Sequence, residues 1–167
     1  MRVRIITAAV IVGTFALTAG GGTAQAQPAG AAAARLFAPS ADVKAMIQRA
    51  RAERKADQPN FVQPMVSLAP YTANLEYRVG DVAAPASTHD RDAELFYVIE
   101  GAGTVVTGGA LRDERRTNAE NSTGTGIDGG VSRRIAAGDV VLVPEKTPHW
   151  FTGIDGTLVL MSLHLPR

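Results

Sequence analysis

The chain has 167 residues, 20% of them charged, a net charge of +1 at pH 7 and no cysteine. That length suits one domain with a real core and is short for two. The missing cysteine excludes disulfides, thiolate metal sites and thiol nucleophiles, and no basic block of the kind that binds nucleic acid is present.

Residues 1–26 read as a secretory signal peptide. "MRVR" is a basic start, "IITAAVIVGTFALTAG" an apolar run, and "AQA" at 24–26 a small-x-small cleavage site. The alternative is an uncleaved membrane anchor, for which the run is short, since a span needs about 20 residues. Cleavage removes Arg2 and Arg4 and no acid, so 15 bases then face 16 acids and the net charge becomes −1. The expected mature protein starts near Gln27, is periplasmic or secreted, and keeps no hold on the membrane. Its near-neutral charge fits a small-molecule partner better than a polyanion.

Residues 27–60 form a leader and a helix. "QPAGAAAARLFAP" is Ala-rich with few large apolar side chains. Ser40 is then a good N-cap, with Asp42 in the first turn. Val43, Met46, Ile47 and Ala50 follow at i, i+3, i+4 and i+7, a narrow apolar face that predicts a solvated helix to about Asp57, packed loosely on the domain.

From residue 61 to 167 the pattern changes to short apolar runs divided by Gly, Pro, Asn and Asp: "FVQPMVSLA", "ANLEYRV", "ELFYVIE", "GTVVTGG", "SRRIA", "DVVLVP", "HWFTGI" and "TLVLMSLHL". Their lengths and spacing argue for an all-β sandwich or barrel. Pro64 marks the first run as an edge or bulged strand. Between the Gly pairs at 108–109 and 129–130 lies a polar excursion, "ALRDERRTNAENSTGTGID". Segments of this length are functional or disordered. The expectation here is disorder without a role, with Arg112, Arg115 and Arg116 as a solvated surface.

Two stretches carry chemistry: "THDRDAELFYVIEG" at 88–101 and "GDVVLVPEKTPHWF" at 138–151. Side chains alternate along a strand, so Glu94, Phe96 and Val98 share one face, as do His149 and Phe151. If both faces point into one barrel, Glu94 and His149 converge on an apolar lining. His89, just before that strand, reaches the same point from the rim.

Together the stretches resemble the cupin superfamily. Its first motif runs G, five residues, H-x-H, three or four residues, E, six residues, G. Here His89, four residues, Glu94, six residues and Gly101 fit its second half, while Ser87 holds the first-histidine position, with six residues between it and Gly80. The second motif runs G, five residues, P-x-G, two residues, H, three residues, N. Gly138, Pro144 and His149 fit it, with Lys146 in place of the glycine and Gly153 in place of the asparagine.

The resemblance implies a small single-domain jelly-roll cupin barrel over about residues 61–165. It also implies a divalent metal, one of Fe, Mn, Ni, Cu and Zn, held by His89, Glu94 and His149. Such a donor set suits those metals and leaves open positions for water and substrate. His164 in "LVLMSLHLP" is a candidate fourth ligand if its strand face is the interior one; otherwise it is a satisfied histidine near the C-terminus. Phe96, Val98 and Phe151 are candidate pocket lining, and Tyr77, Arg78 and His164 are candidate proton carriers.

Three functions follow from these readings. One is a metal-dependent enzyme, oxygenase- or isomerase-like, acting on a small molecule. Another is a non-catalytic small-molecule-binding barrel that kept its folding motifs and lost its metal. A third is a structural partner in a larger assembly, in keeping with the homodimers common in this fold.

Overall fold

The computed structural model describes residues 34–167. The expected signal peptide and the first residues of the leader lie outside them. Among the described residues there is one helix, α1 (Ser40–Glu53), followed by twelve strands. The strands are β1 (Asn60–Leu68), β2 (Tyr71–Val79), β3 (Ala86–His89), β4 (Asp92–Thr107), β5 (Ala110–Arg112) and β6 (Arg115–Arg116). They continue with β7 (Asn121–Gly124), β8 (Gly126–Asp128), β9 (Val131–Ala136), β10 (Val140–Val143), β11 (His149–Thr152) and β12 (Thr157–Pro166).

All pairings are antiparallel, and β4 joins two layers. Its first half lies between β12 and β10, in a sheet continued by β2 and β1. Its second half lies between β9 and β11, in a sheet continued by β3, β7 and β6. The sequence divides β4 into two runs at Gly101, but the strand is continuous. Gly101 has φ +84°, and a Cβ there would come within 2.0 Å of the Thr157 carbonyl oxygen, so only glycine lets the chain cross between sheets at this point. β1 is an outer strand with a register shift between Pro64 and Val66, the bulge expected of a proline that donates no ladder bond.

Phe96, Val98, Val105, Ile135, Val143, Phe151, Leu158 and Leu160 fill the space between the layers. They come from both halves of β4 and from β9, β10, β11 and β12, so the interior is a packed apolar core. A second cluster lies on the outer face of β2 and β12, where Ile47 and Ala50 of α1 meet Met65, Leu75, Tyr77, Val79 and Val159.

The helix therefore packs closely rather than loosely. Ile47 and Ala50 are buried, and Gln63 Nε2 donates to the Met46 carbonyl at 2.8 Å. Its N-cap is Pro39, not Ser40, with no side-chain cap bond; Ser40 is the first helical residue. The helix ends at Glu53 rather than near Asp57: the Arg54 backbone leaves the helical region at ψ 130°, and its guanidinium folds onto the carbonyls of Lys55 and Gln58.

The excursion is ordered, contrary to the expectation. β5 and β8 pair into a small two-stranded sheet, and β7 joins β3 in a four-residue ladder. Arg112, Arg115 and Arg116 are exposed, and Arg112 and Arg116 form ion pairs with Asp128 and Asp90.

Candidate metal centre

Glu94 lies in the first half of β4, its side chain turned inward with those of Phe96 and Val98 by the alternation of the strand. Three histidines from three other strands meet its carboxylate. His89 Nε2, at the end of β3, and His149 Nε2, at the start of β11, each lie 3.3 Å from Glu94 Oε2. His164 Nε2, on β12, lies 3.3 Å from Glu94 Oε1. The ladder explains the last contact, since His164 is the register partner of Glu94.

His89, Glu94 and His164 offer ligand atoms all within 4.8 Å of one another. His149 adjoins this group through the carboxylate and through the His89 ring, whose centroid is 5.3 Å from its own. The site spans the barrel rim: side chains of Glu94 and His149 are each 5% exposed, those of His89 and His164 19% and 30%. An object held here is anchored from the protein side and reachable from solvent.

The electrostatics match this geometry. Burial alone would raise the Glu94 pKa, but hydrogen bonds from His149 and His89 outweigh it and hold the carboxyl well below its usual range. Burial alone would lower the His89 pKa, yet bonds to Glu94 and Asn121 raise it. Without a metal the carboxylate is held ionised by imidazole N–H groups. The two imidazoles and one carboxylate of His89, Glu94 and His164 are also a donor set that a borderline divalent metal could fit.

Outside the cluster, Asn121 Oδ1 accepts from His89 Nδ1 at 2.6 Å, and Asp92 Oδ2 lies 3.2 Å from His164 Nδ1. The sequence reading did not single out Asn121 or Asp92; Asp92 stands two residues before Glu94, but Asn121 is 32 residues from its histidine. His149 Nδ1 faces the Thr147 carbonyl at 3.5 Å, a long contact.

The other residues singled out in the sequence take different places. Phe96, Val98 and Phe151 are fully buried and pack on one another, the Phe96 ring 4.8 Å from Phe151 and 5.7 Å from His149. They form a floor beneath the site. Ser87 is the register partner of His149, so the first-histidine position does face the site, with a hydroxyl instead of an imidazole. Tyr77 belongs to the cluster under α1, on the opposite face of β2 from Arg78. Arg78 pairs with Glu76 at 2.6 Å and stacks 4.5 Å over the Phe151 ring, at the level of Leu158, six residues along β12 from His164. Of the three candidate proton carriers, His164 alone touches the carboxylate.

The sequence matches the Cupin family over residues 73–164, more than half of the chain, and the protein belongs to that family. No curated protein sequence matches it. Solved structures with the same fold include the DMSP lyase DddQ from Ruegeria pomeroyi DSS-3 (16% identity, TM-score 0.51, covering 77% of this chain and 64% of that one). TT1209 from Thermus thermophilus is similar at 16% identity and TM-score 0.50, over 70% of this chain and 92% of that one. The iron(II) form of HppE is similar at 16% identity and TM-score 0.50, over 66% of this chain. The match spans 53% of the HppE chain and 64% of the DddQ chain. At these identities the likeness is one of fold.

Proposed function

We propose that this cupin binds one divalent metal through His89, Glu94 and His149, with His164 as a fourth ligand, and acts on a small molecule at the barrel rim. The observation that carries this reading is the convergence of three imidazole Nε2 atoms on the Glu94 carboxylate at 3.3 Å. A site that had decayed would be expected to lose such convergence, because buried polar side chains without a shared task are costly to keep. A metal bound there supplies Lewis acidity toward a substrate oxygen, or oxygen chemistry if it is iron. Substrate approaches from the exposed side of His89 and His164, since Phe96, Val98 and Phe151 close the interior. His164, touching both Glu94 and Asp92, is the group placed to hold or move a proton when it is not a ligand.

We further propose export through residues 1–26 and action in the periplasm or outside the cell; the apolar run and "AQA" support this.

The packed interior favours one other reading, a non-catalytic barrel that binds a small ligand at its mouth. Metal analysis of the purified, untagged protein by mass spectrometry separates the two. About one equivalent of a transition metal is expected, and His149→Ala should lose it while the β-sheet circular dichroism is unchanged. Metal-free protein that stays so after reconstitution would overturn the metal reading.

A further inference from the structure

The excursion between β4 and β9 is long for a connection that only reverses the chain, and one of its strands pairs with the strand that carries His89. Asn121 is the direct register partner of His89, and its Oδ1 meets Nδ1 at 2.6 Å. The orientation of that amide is itself fixed. Asn121 Nδ2 donates to Asn118 Oδ1 at 3.0 Å, so Oδ1 is the atom turned toward the imidazole. Asn118 Oδ1 also accepts from the Glu120 backbone N–H at 2.9 Å, and the Thr117 N–H and hydroxyl both donate to the Asn121 carbonyl.

This turn is strapped to the loop that follows His89. Asp90 N–H donates to the Glu120 carbonyl at 2.8 Å, Arg91 pairs with Glu120 at 3.3 Å, and Arg116 pairs with Asp90. Each exposed pair is weak alone. Together with the β3–β7 ladder they hold Asn121 against the histidine.

An amide oxygen can only accept, so Nδ1 of His89 carries a proton, and Nε2, which donates to Glu94 in the metal-free site, is the nitrogen left to give up its proton and face a metal. We propose that the 110–128 excursion is part of the metal site, with Asn121 as the positioning residue that sets the tautomer and ring orientation of His89. The inference rests on the metal reading given above. It assigns a role to a segment that neither half of the cupin motif contains. Asp92 offers His164 Nδ1 a similar acceptor, so two of the three imidazoles are oriented from outside the cluster.

The test is zinc titration against a chromophoric chelator, on the unsubstituted protein, Asn121→Leu and Asn121→Asp. Asn121→Leu should weaken zinc binding about 10- to 100-fold, and Asn121→Asp, which keeps an acceptor, should recover most of the loss. In the zinc form, the His89 Nδ1 proton should be visible by NMR and slow to exchange in the unsubstituted and Asp proteins, and exposed to exchange in the Leu protein. A merely structural role would not move that proton. Should Asn121→Leu fail to fold, Asn118→Ala decides: it frees the amide to rotate, and both readouts should fall in the same direction. Equal zinc affinity and an unchanged proton signal in the variants would overturn the inference while leaving the metal site standing. An unsubstituted protein that binds no zinc or other divalent metal would overturn the metal reading, and this inference with it.

Discussion

Glu94 and His89 pull the stability of the metal-free protein in opposite directions with pH. The folded pKa of Glu94 lies below its ordinary 4.5, so its contribution is present above that value and is lost as pH falls. The folded pKa of His89 lies above its ordinary 6.5, so its contribution is present below 6.5 and is lost as pH rises through the raised value. The chelator-treated protein should therefore melt highest between pH 4.5 and 6.5. Bound metal should move that optimum upward, because it requires unprotonated imidazoles. Thermal melts across this range and above it, with and without metal, check both signs; an unchanged optimum on loading would count against coordination by these side chains. His164 makes a second case at this scale. It touches the same carboxylate as the two motif histidines while Ser87, opposite His149, offers only a hydroxyl. His164→Ala should thus weaken metal binding by at least about tenfold, whereas a bystander histidine would leave affinity unchanged.

Between elements, Gly101 and Ile47 carry separable loads. Gly101→Ala must accept φ +84° and a Cβ 2.0 Å from the Thr157 carbonyl oxygen. The positive φ alone costs roughly 1 kcal/mol and such strained positions reach about 3, so denaturant unfolding should show a loss at or above that range. Ile47→Ala removes a side chain buried between α1 and β2 and should cost about 2–5 kcal/mol, with little change in metal affinity, since that cluster lies on the far face of the sheet. The contrast bears on what could be read from the chain. Period-two alternation placed Glu94, Phe96 and Val98 on one face, and Gly138, Pro144 and His149 placed the second half of the site, because both signals are local. Gly101 looked like a strand break because glycine weakens strands in general, and only the neighbouring Thr157 shows that it permits a crossing. His164 stayed ambiguous because alternation gives two faces without saying which is interior; the β12–β4 register decides that. Asn121 was out of reach for the same reason: its partner is 32 residues away and the pairing depends on a turn among polar residues that carries no hydrophobic period.

Across the whole molecule, the proposed metal site and the core are separate structures in one barrel. The core is apolar and is drawn from both layers, while the four polar side chains of the site stand at one rim above Phe96 and Phe151. The buried Glu76–Arg78 pair lies at the level of Leu158 and Leu160, away from that rim. Folding should therefore not wait for metal, unlike a small zinc module whose ligands replace a core. Metal should act instead as a ligand of the native state. At a free concentration about 100 times its Kd it adds about 2.7 kcal/mol, which for a domain of this size corresponds to a rise in Tm of roughly 5–10 °C. Chelation should lower Tm by that amount and leave the room-temperature sheet spectrum intact, and readdition should restore it. Collapse of the sheet on chelation would show that the site holds the barrel closed, and that the apolar core is not sufficient by itself.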